Sequence, residues 1–190
     1  MKSPIKILLA LAVLLIAVSC KKDKPKHLVA TIWVAETPVK YSYGAGGNNI
    51  GVGTTFLEWE ILEMDFTKAE EGSSASSTAY YGSAATMSGN DYSTGTSTPF
   101  TFDWGHWKYF DYSGSKENKF KSYSANYSIP QEWIDEEKVV GELFNSTGAV
   151  RFHVFSLSKR EMRVAFEHIN SFNSGTNYRY YSPIMTFKRK

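Results

Sequence analysis

The most restrictive feature of the chain is a period-two pattern of apolar residues that recurs through its C-terminal half. The pattern is clearest at 150–154 and 162–166. The strand-like segments lie at 139–144, 150–157, 162–169 and 178–188, and short turn-rich stretches separate most of them. Successive side chains of a strand point to opposite faces of a sheet, so this period predicts strands with one buried face. The short connections predict hairpins between neighbours. Both observations favour an antiparallel sheet.

The N-terminal half contains one segment with a clear strand pattern, one that fits either a helix or a strand, and one of low complexity. Residues 27–36 alternate β-branched and apolar side chains around Trp33, which predicts a first strand. Residues 54–68 fit a helical stripe or a strand. The apolar phase changes once between Ile61 and Leu62, which favours a strand with a bulge.

Residues 82–99 are almost wholly Ser, Thr, Gly and Ala, and this composition predicts a long exposed connection.

The aromatic content supports an all-β fold. The 5 Trp, 12 Tyr and 12 Phe residues all follow residue 19, and aromatic side chains favour strands over helices. Residues 100–112 are particularly rich in them and predict either an aromatic strand pair or one long strand bent at Gly105. One short helix is predicted after Pro130, where proline and following acidic residues are typical of a helix start. The sequence therefore predicts an up-and-down antiparallel β-barrel of about eight strands with one short helix.

The first 19 residues have the layout of a secretory signal. Lys2 and Lys6 precede an uninterrupted apolar run at 7–18, and the small residue Ser19 stands before Cys20, the only cysteine. A bilayer span needs about 20 apolar residues, so this run is too short for a permanent membrane helix. We therefore expect the segment to be cleaved.

The residues Ala17-Val18-Ser19-Cys20 resemble the lipobox of bacterial lipoproteins. The resemblance implies lipidation at Cys20, with 1–19 as the cleaved signal peptide, 20–27 as a lipidated basic tether and 28–190 as a single barrel domain. Lys21 stands where an inner-membrane retention signal would have Asp, so the outer membrane of a Gram-negative bacterium is the expected location. An ordinary signal peptide with an incidental cysteine is the alternative.

A family resemblance is carried by Thr31-Ile32-Trp33, by the predicted hairpin from Met64-Asp65-Phe66 through Glu71-Gly72, and by the closing segments 162–166 and 185–189. With these residues the domain resembles the lipocalin-like domains of bacterial lipoproteins. The resemblance implies that Trp33 packs near the last strand, where Lys188 or Arg189 would cover its ring by a cation–π contact. It also implies a cup for a small apolar or amphipathic molecule.

The charge balance argues against nucleic acid as a partner. The chain has 21 Lys and Arg against 19 Asp and Glu, and removal of Lys2 and Lys6 leaves 19 of each. A nucleic-acid-binding protein needs a cationic surplus that displaces counterions. The chain also lacks the common hydrolase, metalloprotease and phosphate-loop motifs. We therefore expect no enzyme activity and no cofactor.

Two histidines of the C-terminal half, His153 and His168, are candidate metal ligands. A four-residue turn at 158–161 would pair His153 with Phe166 and Arg151 with His168, which would place both imidazoles diagonally on one sheet face. Two ligands do not complete a metal site, so no metal is predicted.

The remaining site candidates are aromatic. They are the side chains that could line a barrel mouth or stack on a ligand, namely Trp59, Tyr81, Trp104, Trp107 and Tyr109. A role in the core is the plainer interpretation of the strand at 100–112. The leading hypothesis is a non-enzymatic binder of a small hydrophobic or amphipathic ligand in the cell envelope. The alternative is a surface module that binds a glycan or a protein through exposed aromatics.

Overall fold

A computed structural model describes residues 25–45, 55–68, 72–73, 79–112, 119–121, 128–145, 150–171 and 177–190. The predicted signal peptide, Cys20 and most of the predicted tether lie outside these ranges. Within them, no helix is both long and apolar enough to cross a membrane.

The described residues form eleven strands, a 3₁₀ turn at Pro25–His27 and one α-helix, α1, at Gln131–Asp135. The strands are β1 (Ile32–Ala35), β2 (Lys40–Ala45), β3 (Thr55–Asp65), β4 (Gly72–Ser73), β5 (Ala79–Asp91), β6 (Thr98–Asp111), β7 (Gly141–Asn145), β8 (Val150–Leu157), β9 (Glu161–Ser171), β10 (Asn177–Tyr181) and β11 (Met185–Arg189).

The strands close into an eight-stranded antiparallel barrel, as the sequence predicted. β1 and β2 pair with successive parts of β3 and act as one interrupted strand, and β10 and β11 do the same along β9. β3 pairs in turn with β5, and β5 to β9 follow as a meander. The pairing of β1 with β11 completes the ring. Closure leaves the main strands of the barrel without unpaired sheet edges.

The ambiguous segment at 54–68 is the strand β3. It pairs with β5 through a register shift between Ile61 and Glu63, at the place where the apolar phase changes in the sequence. Ile61 and Met64 are both buried although they are three positions apart, a spacing that places side chains on opposite faces of a regular strand. The bulge explains this, because an extra residue returns the strand to its earlier face.

The prediction of a long exposed connection at 82–99 is wrong. Residues 79–91 form β5 between β3 and β6, and only the short stretch after Asp91 is a turn. The small residues are there because their neighbours are large or close. A Cβ on Gly82 would lie 2.2 Å from the ring of Trp107, and one on Gly89 would lie 2.0 Å from the carbonyl oxygen of Glu60. Low complexity here reflects tight packing.

β6 bends at Gly105, as predicted, and continues as one strand. Gly105 has φ +57°, a left-handed conformation that favours glycine. Register shifts in the pairing with β5 accompany this bend. Trp104 and Trp107 would face opposite sides of a regular strand, yet both are buried. The irregularity therefore directs both indoles to the inside of the barrel.

Two apolar clusters lie on the two faces of the sheet. The larger fills the barrel, and the smaller lies outside β8 and β9, where α1 covers them. Trp133 of α1 is completely buried in the smaller cluster, and its indole N–H donates to the carbonyl oxygen of Ser182 at 3.0 Å. Ser182 stands in the interruption between β10 and β11. This contact holds the cover, helix α1 with Trp133, against the barrel wall formed by β8 and β9.

Trp33 is buried beside the last strand, as barrel closure requires, and the predicted cover of its ring by Lys188 is not formed. A cation–π contact with Arg189 stays a prediction. The side chain is completely buried, and Trp33 is the register partner of Arg189. Lys188 is opposite Val34, on the outward face, and its Nζ forms ion pairs with Glu161 at 2.5 Å and Glu36 at 3.5 Å. Arg189 is exposed. Because side chains alternate along a strand, Lys188 cannot reach the inward-facing indole.

Replacing Trp33 with Ala should destabilise the protein by about 3 to 5 kcal/mol, because a large side chain is removed from a closed core. Urea denaturation of the variant and the parent measures the change in unfolding free energy. Val34→Ala is the control on the same strand, since Val34 is only half-buried, and it should cost less than about 1 kcal/mol. Equal midpoints for Trp33→Ala and the parent would contradict the closure of β1 over the core.

Candidate binding pocket

A row of charged side chains crosses the outer face of β7, β8 and β9. Glu142, His153 and Glu167 point outward, whereas their neighbours Leu143 and Phe152 belong to the core inside the barrel. Glu142 is the register partner of His153, and Glu167 lies opposite Arg151. Adjacent strands therefore place the three groups side by side.

The register of β8 and β9 differs by one residue from the predicted one. His153 pairs with Ala165 and not with Phe166, because the pairing shifts between Val154 and Ser156. A shift of one residue moves side chains to the other face of a strand. His168 is consequently opposite Val150, a core residue, and the predicted arrangement of both imidazoles on one face is wrong. The shift also brings Glu167, which the sequence analysis did not single out, beside His153.

His153 lies between the two carboxylates. Its Nδ1 is 2.9 Å from Oε1 of Glu142, and its Nε2 forms a short contact with Oε2 of Glu167. The hydroxyl of Tyr112 donates to Oε2 of Glu142 at 3.2 Å. The side chains of Glu142, His153 and Glu167 are 6%, 2% and 2% exposed. These are charges and polar groups that the fold has removed almost entirely from water.

Three cations face this row. Lys119 forms an ion pair with Glu142, and Nη1 of Arg179 is 2.6 Å from Oε1 of Glu167. Nη1 of Arg151 is 3.9 Å from Oε2 of Glu167, too far for a hydrogen bond. Among the described residues around the row, three cations therefore stand against two carboxylates.

The protonation of the row follows from burial and from these charges. Burial, with the charges of Lys119 and Arg151, lowers the pKa of His153 to about 4 despite its hydrogen bond to Glu167. Burial alone would raise the pKa of Glu167, but the His153 hydrogen bond and the guanidinium groups of Arg151 and Arg179 lower it to about 2. Burial also lowers the pKa of Lys119 to about 7, and Arg151 contributes to this decrease. Near neutral pH, His153 is therefore neutral and Glu167 is ionised.

A neutral His153 has one N–H group and can donate to only one of the two carboxylates that face its ring. The ring nitrogen without a proton then faces a carboxylate oxygen, with no donor between the two atoms. Nδ1 is buried and has no hydrogen-bond partner among the described residues. Buried polar atoms of this kind are rare in folded proteins, and each one requires a physical explanation.

The charged row forms the floor of a pocket of about 280 Å³. Its walls combine the charged groups with aromatic and aliphatic side chains, and the ring of Phe120 meets His153 edge-on at 5.0 Å. The lining residues are Tyr112, Lys119, Phe120, Ile129, Glu142, Arg151, His153, Glu167, Arg179 and Tyr181. Such a site has polar groups for one end of a ligand and apolar surface for the other.

The described residues contain no group of three His, Cys, Asp or Glu side chains placed to hold a metal ion. In the charged row itself, the imidazole of His153 separates the carboxylates of Glu142 and Glu167. Each carboxylate meets a different ring nitrogen. This geometry places the imidazole, and not a shared metal position, between the two carboxylates.

None of the aromatic candidates whose side chains the structure describes lines this pocket. Trp104, Trp107 and Tyr109 are buried inside the barrel, where Trp104 stacks on Phe152 with a centroid distance of 5.1 Å. Trp59 is half-buried and stacks on Phe100 at 4.5 Å, which makes it the one candidate with a partly exposed ring among those whose side chains are described. The backbone of Tyr81 lies on β5 opposite Lys108. A ligand-binding role for these five residues stays a prediction.

No family model matches the chain, and searches of curated proteins and of solved structures find no significant match. The pocket is therefore interpreted from its own geometry.

Acid should destabilise the fold partly through His153. The unfolded chain protonates this histidine near pH 6.5, whereas the folded chain keeps it neutral down to about pH 4. The unfolded state therefore binds more protons in this window, and stability falls as the pH decreases. Between pH 7 and pH 5 the loss due to His153 should be about 2 kcal/mol.

Urea denaturation of the parent and of His153→Gln at pH 7 and pH 5 measures this loss. The variant should lose most of the pH dependence, and a smaller part should remain because burial also lowers the pKa of His168. His106→Gln is the control, since His106 is exposed. An unchanged pH dependence in His153→Gln would show that the pKa of His153 is the same in the folded and the unfolded chain.

Proposed function

We propose that the protein is a non-enzymatic, lipid-anchored protein of the bacterial cell envelope that binds a small amphipathic ligand. The observation that carries the proposal is the pocket on the outer face of β7, β8 and β9. It brings a buried row of charged groups and an aromatic wall to one concave site. Pockets with mostly fixed walls and a few convergent polar groups are typical of small-molecule sites.

The energetic cost of the charged row supports a binding role. Removing a carboxylate from water costs several kcal/mol unless charged partners and hydrogen bonds replace the water. A cover that served only to protect the barrel wall would be more stable with apolar side chains at 142, 153 and 167. Three polar groups at these positions are instead what a ligand with a polar end requires.

The proposed ligand site is on the outer face of the barrel and not in the barrel interior, where the lipocalin-like resemblance implies a cup. The interior aromatic side chains pack on one another: Phe66 meets Trp104 and Trp107 edge-on, with centroid distances of 6.5 and 5.6 Å. Their ring surfaces already contribute to the stability of the core. The outer pocket offers polar groups that the core contacts do not use.

The anchoring part of the proposal rests on the lipobox-like residues that end at Cys20. A lipid on this cysteine and a short tether of basic residues would hold the barrel close to the bilayer surface. The lysines of the tether add an attraction of about 1 kcal/mol each to anionic headgroups. The outer membrane is the proposed location.

A variant that fills the pocket should lose the ligand. Ile129 lines the pocket, so Ile129→Phe reduces its volume with an apolar side chain and leaves the charged groups in place. Native mass spectrometry of protein purified from its own membrane should show a small bound molecule on the parent. The same molecule should be absent from the variant.

Leu62→Phe is the matched control, because Leu62 is half-buried on β3 and does not line the pocket. The control should keep the bound molecule. Retention of the molecule by Ile129→Phe at the parent level would place the ligand elsewhere and would contradict the proposed site.

Replacing Cys20 with Ser should release the protein from the membrane fraction, because the side chain that would carry the lipid is removed. Fractionation of cells that express the parent and the variant, followed by a high-salt wash, measures the release. The wash separates lipid anchoring from attraction of the tether lysines to the bilayer. A Cys20→Ser variant that stays in the membrane fraction would refute the anchor.

A further inference from the structure

The charges that line the pocket point to the sign of the ligand. Lys119, Arg151 and Arg179 are cationic, Glu142 and Glu167 are anionic, and His153 is neutral near pH 7. The lining therefore has a surplus of one positive charge when Lys119 is protonated. The three cations are each 26% to 29% exposed, so an anion from solution could reach the surplus charge and neutralise it.

Arg151 is the cation whose hydrogen-bonding capacity is least used by the protein. Its Nη1 is 3.9 Å from the nearest oxygen of Glu167, whereas Nη1 of Arg179 is 2.6 Å from the same carboxylate. Nε of Arg151 is buried and has no hydrogen-bond partner among the described residues. The side chain is 29% exposed, while that of Glu167 is 2% exposed. Arg151 therefore stands between solvent and the buried row.

A guanidinium group in this position matches a carboxylate. Two of its N–H groups can donate in parallel to the two oxygens of a carboxylate, and such a charge-assisted pair is stronger and more specific in geometry than a neutral hydrogen bond. The aliphatic and aromatic side chains of Phe120, Ile129 and Tyr181 line the same pocket and provide apolar contacts beside this pair.

We infer that the pocket binds a small monocarboxylic acid, whose carboxylate pairs with Arg151 and whose apolar part lies against Phe120 and Ile129. This inference rests on the proposed function and adds the chemical class of the ligand. The volume of about 280 Å³ is at the lower end of the range of small-molecule pockets, so the ligand is small.

The acidic groups of the pocket select a carboxylate over a phosphate. A phosphate monoester carries a charge of about −1.5 to −2 at neutral pH, whereas a carboxylate carries one negative charge. The surplus of one positive charge balances the carboxylate, and the second charge of a phosphate would face Glu142 and Glu167. A cationic ligand would instead add to the surplus.

Isothermal titration calorimetry with four probes of similar size and different charge tests the inference. The probes are phenylacetate, phenylacetamide, phenyl phosphate and 2-phenylethylamine, measured at pH 6, where Lys119 is charged. Phenylacetate should bind at least tenfold more tightly than the other three probes. Arg151→Met should weaken phenylacetate binding at least tenfold and leave the affinity for phenylacetamide unchanged.

Two further variants make the test specific to Arg151. Arg151→Lys keeps the charge but loses the two parallel donors, so the affinity for phenylacetate should fall between those of the parent and Arg151→Met. Arg163→Met removes an arginine of similar exposure that pairs with Glu136 outside the pocket, and it should leave binding unchanged. Thermal denaturation confirms that each variant is folded.

The outcomes separate this inference from the proposed function. Tighter binding of the amide, the amine or the phosphate, abolished by Ile129→Phe, would overturn the carboxylate assignment and leave the pocket as the ligand site. Equal binding of phenylacetate to the parent and to Arg151→Met would overturn the role of Arg151. If none of the four probes binds at millimolar concentration, the inference that the pocket binds a small carboxylic acid of this size is overturned. The bound molecule seen by native mass spectrometry would then test the pocket independently.

Discussion

The register between β8 and β9 is the constraint on which both faces of the barrel wall depend. The shift between Val154 and Ser156 decides which side chains of the two strands enter the core. Before the shift, Phe152 faces inward and meets Phe166 across the strands. The same shift sets Arg151 opposite Glu167 on the outer face. Core packing and the charged row are therefore two results of one pairing.

The outer face of these strands is unusual for a barrel because it is buried as well. Trp133 closes over it, and its ring lies 5.1 Å from that of His153. Burial under this cover explains the low pKa of His153, because the imidazolium form would lose its hydration. It also explains why the protein holds cations near the row: without them, two carboxylates would be buried without compensation. The cover thus creates the electrostatic properties of the pocket.

The sequence predicted the fold class well and the site poorly. Alternation around Trp33 and through 139–169 was sufficient for a closed meander, because the period of two is a local property of each strand. Residues 82–91 were misassigned, since a strand of small residues has no apolar pattern of its own. Gly82 is required there by the ring of Trp107, which lies on the neighbouring strand. The composition of a segment does not show which side chain of a neighbouring strand packs against it.

The sequence by itself determined the all-β architecture, the bulge in β3, the bend at Gly105 and the short helix after Pro130. Each of these follows from residue types that are close together along the chain. Only the tertiary structure decided that Glu142, His153 and Glu167 share a pocket and that Trp104, Trp107 and Tyr109 belong to the core. These groupings depend on strand register and on what covers each face of the sheet. A one-residue slip reverses the face of every following side chain, and short-range patterns cannot determine it.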